Sequence, residues 1–415
     1  MSLANWKAQL QAELERLDTS GGSKRAERVI ESFTPDTPPK AVIGSQAYDI
    51  FNSNDYLGLR FHPALKKGEE EASKVFGTGP GAVRFISGSL KVHRDLEKAI
   101  AAFHGRDDAM VFSSAFATNV AVLSSLIKGQ SKDSLVSANT LVVSDELNHR
   151  SIIEGIRAAS IPSEHKAIFA HMDASDLNRV LTDNKGKFDR VVVVTDGVFS
   201  MLGEYQDLAA LRSVISKHQD AYDQGVVLVV DDAHGVGCFG ETGRGVEEVC
   251  NAKADVLVGT MGKAFGADGG YVTGDQVVID YLRESAATYI YSNSISPGTA
   301  GAALSAFKLF ESGEGAKLLA ASLANIKTFQ EAVAKAGIEL AAPSNHPIQP
   351  VLVGDPLKSK ALAKALFAAG YMVTPINYPV VPKGRDEIRV QISAAHTSEL
   401  IEKFVKIVTK SIESI

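Results

Sequence analysis

The sequence predicts an α/β protein, with a large domain built on a mainly parallel sheet and a smaller α+β domain after it. Three observations predict this. Four short runs, TLVVSD, RVVVVTDG, VVLVVDDAHG and DVLVGTMGK, are almost wholly Val, Leu and Thr, and each ends in a polar residue followed by Gly or a helix signal. Such continuous apolar runs mark strands buried on both faces, with ligand groups at their carboxyl ends. From about Leu90, helical periodicity alternates with these runs, as in LKVHRDLEKAIAAFHG and the stretch after His149. After Pro297 the texture changes: Ala- and Lys-rich helical segments over 299–335 lead into HPIQPVLVG, YMVTPINYP and EIRVQIS as candidate strands, then a last helix from Ser398.

The N-terminal stretch MSLANWKAQLQAELERL is charged throughout and predicts an amphipathic helix rather than a secretory signal. A polar segment with three prolines, Thr34 to Lys40, separates it from AYDIFNSNDYLGL, read as a strand entering a turn. The expected organisation is an N-terminal helix and arm over 1–55, a large domain over 56–297 and a small domain over 298–415. A net charge of −6 argues against binding a phosphate backbone. No apolar run approaches the ~18 residues of a membrane span. Cys238 and Cys250 lack metal-ligand spacing, and two cysteines among 415 residues suit a reducing compartment, so a soluble cytoplasmic protein without a metal is expected.

The chemistry gathers at the strand ends. VVLVVDDAHG delivers Asp231 and His234 to the mouth of a buried strand, where charge is costly unless it meets an opposite charge or a ligand. A protonated pyridine nitrogen would be such a partner, and a carboxylate beside it would make the ring an electron sink. The bland alternative, an Asp capping the next helix, has about even odds on this run alone. Lys263 follows the strand DVLVGT between Gly262 and Gly266, where backbone can approach a ligand closely and a desolvated amine becomes nucleophilic. An arbitrary lysine is usually a solvated one, but the pairing of strand-DDAH with strand-TMGK reverses that expectation. FSSAFATN places hydroxyls and a helix start at about Ala115, a ready anion site, and Thr260 is a further hydroxyl three residues before Lys263. GTGPGAVRFISG lacks the ending of a phosphate-binding loop. His149 precedes a helix and stands ready either to cap it or to stack on a flat ligand. Ser200 follows another buried strand as a possible donor to a phenolic oxygen, and Arg389 lies inside an apolar strand, where a guanidinium usually binds a carboxylate.

Taken in order, SNDYLGL, GTGPGAVRFISGSLKVHRDLE, DELNHRSIIEG, TDGVFSM, VDDAHGVGCFGETGRG, GTMGKAFGADGGY, YIYSNSISP and IRVQISAAHT resemble the α-oxoamine synthases, enzymes of pyridoxal 5'-phosphate (PLP) fold type I that join an amino acid to an acyl-CoA. The likeness runs from about residue 25 to the C-terminus. It implies that Lys263 carries PLP as a Schiff base and removes the amino-acid Cα proton, and that Asp231 pairs with the pyridine nitrogen. It further implies that His234 and Ser200 bond the phenolic oxygen, and that His149 stacks on the ring and acts as acid toward the acyl carbonyl. The backbone of Ala115 and Phe116, with Thr260, would hold the phosphate. Ser292 and Asn293 would reach that phosphate from a second subunit, implying a homodimer with shared sites. Asn54 and Arg389 would hold the substrate carboxylate.

Within the family, YPVVPKGRDEIRVQISAAHT is similar to the glycine C-acetyltransferases, which implies glycine and a short acyl group, acetyl-CoA above all. Two departures point elsewhere: Asp55 is as in members using longer acyl groups, and Leu202 replaces a common acidic residue. Val380 counts mildly against the oxononanoate synthases. The competing expectations are a longer-chain member whose product is decarboxylated, and an aldolase, racemase or aminotransferase on the same scaffold. A non-catalytic scaffold is disfavoured by the intact set Lys263, Asp231, His234 and His149.

Overall fold

The computed structural model describes residues 3–19, 23–25, 27–129, 131, 133–342, 344–378 and 380–415, in two compact units, Met1–Ile50 and Phe51–Ile415. In the first unit the expected helix is α1 (Leu3–Thr19); Met1 and Ser2 of that stretch lie outside the described residues. No side chain of α1 is buried. Three short strands follow, β1 (Ser32–Phe33), β2 (Ala41–Ile43) and β3 (Gln46–Ile50), paired antiparallel in sequence order.

The second unit begins with α2 (Pro63–Phe76), α3 (Lys91–His104), β4 (Asp108–Phe112) and α4 (Ala115–Ile127). Then come β5 (Thr140–Asp145), α5 (Arg150–Ala158), β6 (Lys166–Phe169), α6 (Ala174–Asp183), β7 (Arg190–Asp196), α7 (Leu208–His218) and β8 (Val226–Asp231). α8 (Val246–Val249), β9 (Val256–Thr260), β10 (Gly270–Gly274), α9 (Gln276–Ser285) and α10 (Ala287–Ile290) complete the α/β part. The remainder is α11 (Pro297–Glu311), α12 (Glu314–Lys335), β11 (Ile348–Leu352), α13 (Pro356–Ala368), β12 (Tyr371–Met372), β13 (Thr374–Ile376), β14 (Glu387–Gln391) and α14 (Ser398–Glu413). Of the predicted stretch YMVTPINYP, Pro379 lies outside the described residues.

The large sheet has the order β4-β10-β9-β8-β7-β5-β6. The four Val-rich runs are its centre: β5, β7, β8 and β9 are adjacent and parallel, and only β10 runs against its neighbours β9 and β4. All seven residues of β7 are buried, because the alternation of a strand sends successive valines to opposite layers. Val192 and Val194 pack with Val122 of α4 and Ile152 of α5, whereas Val191 and Val193 pack with Leu177 of α6 and Leu211 of α7. Burying each such valine contributes roughly 1.5–3 kcal/mol relative to exposure. Helices on both faces leave the strand ends as the place where polar groups emerge. Among the described residues no helix is long and apolar enough to cross a membrane.

A second, three-stranded sheet has the order β11-β14-β13, all antiparallel. On β14, Ile388 and Val390 enter a core with Phe329 of α12, Leu362 of α13 and Phe404 of α14. Alternation therefore turns Glu387, Arg389 and Gln391 to the opposite face. Within the glycine-rich stretch 77–88, Arg84 meets Glu97 of α3 at 2.9 and 3.3 Å.

Candidate active site

β7 and β8 end level with each other, so Asp196 and Asp231 are register partners, both buried. Adjacent carboxylates in a desolvated place cannot both carry charge cheaply. Burial, with Asp231 beside it, pushes the Asp196 carboxyl well above the usual range. Asp231 is held on both oxygens, Oδ2 accepting from Asn119 Nδ2 of α4 at 2.5 Å and Oδ1 from the Ala233 N–H at 3.0 Å. Asn119 Nδ2 also lies 2.8 Å from Ser151 Oγ of α5.

His149 is the N-cap of α5, its ring accepting from the Ser151 N–H, with Nδ1 2.7 Å from Ser151 Oγ. Its own N–H donates to Asp196 Oδ2 at 2.9 Å, and Asn148 Oδ1 accepts from the Asp196 N–H at 2.8 Å. The histidine thus caps a helix and lines the pocket at once. Burial lowers its pKa, an effect partly opposed by Asp231 and reinforced by Lys263.

Lys263 stands three residues beyond β9, where the chain folds back through a Gly266 N–H to Lys263 carbonyl bond of 3.0 Å. Burial lowers its amine to about 8, the attraction of Asp231 and Asp196 only partly opposing this, and Arg389 adds to it. One pocket is lined by Lys263, Asp231, His149 and His234 together with Ser200, Ala115 and Phe116. His234 Nδ1 lies 2.8 Å from Tyr56 Oη. Burial holds that imidazole neutral, its pKa pushed well below the usual value, with Lys263 and Arg389 adding to the effect.

Ala115 and Phe116 form the first turn of α4, whose N-cap Ser114 accepts from the Ala117 N–H at 3.1 Å. The two preceding N–H groups remain outside the helical ladder and are available to an anion. Gly270 lets this turn lie close against β10: a Cβ there would come within 2.3 Å of the Ala115 nitrogen and 2.5 Å of its Cα. The ends of the pocket therefore suit a flat molecule with an anion at one end and a protonated nitrogen at the other, and the amine suits an aldehyde between them.

The remaining expected residues are placed differently. Thr260 is buried behind the pocket, its hydroxyl donating to the Gly269 carbonyl at 2.9 Å and accepting from the Gly262 N–H at 3.2 Å. Ser292 and Asn293 are exposed on the loop between α10 and α11 and do not line this pocket. Asn54 Oδ1 lies 3.2 Å from both Tyr56 Oη and the Gln391 amide. Arg389 has its Nη1 2.6 Å from the Gln391 amide oxygen when that amide is turned toward it. Its Nε and Nη2 are buried without a partner among the described residues. Sequence reasoning missed Asn119, Ser151, Asp196 and Tyr56. Two of them carried a signal: Asp196 ends the buried run RVVVVTD, and Asn119 lies four residues into a helix whose first turn was already assigned to the site.

The chain matches the family described as aminotransferase class I and II over residues 50–408. It is 38% identical over 374 residues to an 8-amino-7-oxononanoate synthase of Treponema denticola, covering 89% of each chain. Over 414 residues it is 36% identical to the mitochondrial 2-amino-3-ketobutyrate coenzyme A ligase of Bos taurus, covering 98% of this chain and 92% of that one. Among solved structures it is similar to a serine palmitoyltransferase of Sphingomonas wittichii, with a TM-score of 0.87 at 25% identity over 100% of this chain and 99% of that one. A high-resolution structure of SPT with PLP internal aldimine gives a TM-score of 0.86 at 25% identity over the same shares.

Proposed function

The chain belongs to the aminotransferase class I and II family and, within it, to the PLP-dependent α-oxoamine synthases, and on that premise we propose that it condenses glycine with a short-chain acyl-CoA, acetyl-CoA first. The observation that carries the site assignment is the half-buried Lys263 amine, lowered to about 8, in one pocket with the locked carboxylate of Asp231. PLP supplies an aldehyde that captures amines and a ring that withdraws electrons from the carbon next to the captured nitrogen.

The chain supplies the rest. Lys263 would hold the cofactor through its amine, and that amine, when not so engaged, would take the substrate Cα proton. Asp231, fixed by Asn119 and the Ala233 N–H, keeps a proton on the ring nitrogen. Neutral His234, with Ser200, donates toward the ring oxygen. The first turn of α4 binds the phosphate. Arg389 and Asn54 orient the substrate carboxylate, the guanidinium having Nε and Nη2 uncommitted among the described residues. A bond then forms between the substrate Cα and the thioester carbonyl carbon, the C–S bond breaks, and coenzyme A leaves as the thiol. On this reading His149 gives a proton to the acyl oxygen. Ser292 and Asn293 are exposed as a second subunit would require, and we assign them to the phosphate site of a homodimer.

A longer acyl donor with decarboxylation is the second reading, supported by the 38% identity to an 8-amino-7-oxononanoate synthase and by Asp55. A thiol-release screen of acetyl, succinyl, pimeloyl and palmitoyl thioesters against glycine, alanine and serine separates the two. Glycine with acetyl-CoA is expected to be fastest; a rate no better than background for that pair, with turnover of a longer thioester, moves the assignment to the second reading. Thiol release from no pair, with turnover of an amino acid alone, points to a racemase or aminotransferase.

A further inference from the structure

His171 lies between β6 and α6, outside the pocket, yet it joins two of the turns that build the pocket. Its Nδ1 is 2.9 Å from Asp145 Oδ1 and its Nε2 is 3.1 Å from Glu204 Oε1. Asp145 is the last residue of β5 and opens the turn to His149; its Oδ1 accepts from the Leu147 N–H at 2.9 Å. Glu204 closes the turn that carries Ser200, its carbonyl accepting from the Phe199 N–H at 2.8 Å, while the Gly203 N–H donates to the Phe199 carbonyl at 3.0 Å. The Phe199 ring meets the imidazole edge to face, with centroids 4.4 Å apart at 87°. The neighbouring Met172 adopts φ 55°, a left-handed conformation uncommon for a residue with a side chain, and its N–H donates to Asp145 Oδ2 at 2.9 Å. A strained backbone persists where its surroundings hold it, and here they hold the imidazole between the two carboxylates.

We propose that His171 is a positioning residue of the active site: by bridging Asp145 and Glu204 it locks together the turns that carry His149 and Ser200. The inference rests on the proposed placement of those two residues against the cofactor. Only a doubly protonated imidazole donates to both carboxylates. Bonds to Asp145 and Glu204 outweigh burial and raise its pKa to about 9. The charged groups facing it are these two; Asp196 stands near Asp145, and Glu387 near Glu204. Because the folded-state pKa is raised, the bridge is complete at neutral pH and loses one of its bonds as pH rises through about 9.

The test compares the wild type with His171→Gln and Glu204→Gln, the second leaving the imidazole in place should the first fail to fold. In cofactor-free protein, amide exchange of residues 145–149 and 199–204, corrected for intrinsic rates, is expected to speed together by roughly tenfold or more in His171→Gln. Wild type should approach that behaviour above pH 9. In the loaded enzyme, kcat should fall and the visible absorption band shift, while the amino-acid KM stays within about twofold, since Arg389 and Asn54 lie on other elements. Faster exchange in one turn alone, or a lowered Tm with band and kcat unchanged, would overturn the proposal and leave His171 a structural residue. The two arms fail separately: if wild type takes up no PLP, the functional reading falls, while the exchange experiment still decides whether the turns are coupled.

Discussion

Two polar regions of the molecule are built in opposite ways. At the ends of β7 and β8 most polar groups hold one another: Asn119 and Ala233 fix Asp231, the His149 N–H and Asn148 fix Asp196, and Ser151 backs His149, while Asn119 Oδ1 and Asp232 Oδ1 stay without a partner among the described residues. On the face of β14 opposite its core, by contrast, Arg389 keeps Nε and Nη2, and Glu387 keeps both carboxyl oxygens, buried without a partner among the described residues. Each unmet buried polar group costs about 1–3 kcal/mol. On the proposed reading the difference follows residence time. A cofactor that stays bound is met by side chains largely bonded to one another, whereas a substrate that comes and goes is met by groups left open for it.

Removing the amine from the mutually bonded region should have the largest effect. Lys263→Ala is expected to lose the borohydride-reducible attachment of PLP and to lower turnover by roughly a thousandfold or more. A variant that still reduces to a stable adduct as wild type does would break the comparison at its strongest point. Next, Arg389→Gln removes open donors instead. The loss of charge-assisted bonds should raise the amino-acid KM roughly 10- to 100-fold while leaving the visible spectrum of the bound cofactor in place. A spectrum altered as much as the KM would mean that Arg389 belongs to the cofactor frame. A pH measurement sharpens the first region further. With the Lys263 amine lowered to about 8, the rate at which cofactor-free protein condenses with PLP should climb about tenfold per unit up to that pH and level off above it. A rate still climbing past pH 10 would mean that the amine is not desolvated.

The mutually bonded region was also the more legible in sequence. β5, β7, β8 and β9 stood out because burial on both faces demands unbroken Val and Leu, and their ends drew attention to Asp231, Lys263 and Ser200, with the Asp231 run alone leaving a helix cap equally favoured. His149 and Ala115 were singled out because a helix begins at each, and Phe116 came with the family resemblance. What sequence could not supply was sideways contact: Asn119 meets Asp231 across 112 positions and Tyr56 meets His234 across 178, pairings that no local periodicity records. Thr260 was drawn toward the phosphate by its nearness to Lys263, but the tight return from β9 to β10 takes up its hydroxyl at Gly269. Glu387 was passed over as one more charge beside an arginine, since nothing in EIRVQIS tells that its side chain is fully buried.

That residue gives the finest test of the open region. Burial pushes the Glu387 carboxyl up to about 8, against the pull of Arg389 and Arg385 and with Glu204 adding to the shift. Its pKa is raised, so it is neutral through pH 7 and makes no claim on the guanidinium two residues away on the same face of β14. As pH rises through about 8 it ionises, and a carboxylate there competes with the substrate carboxylate for Arg389. The amino-acid KM of the wild type should therefore rise a few-fold between pH 7 and 9, beyond what ionisation of the amino acid itself explains. Glu387→Gln, which keeps the shape and removes the charge, should match wild type at pH 7 and lack that rise. If both proteins show the same rise, Glu387 does not reach Arg389, and the open donors on β14 answer to the substrate alone.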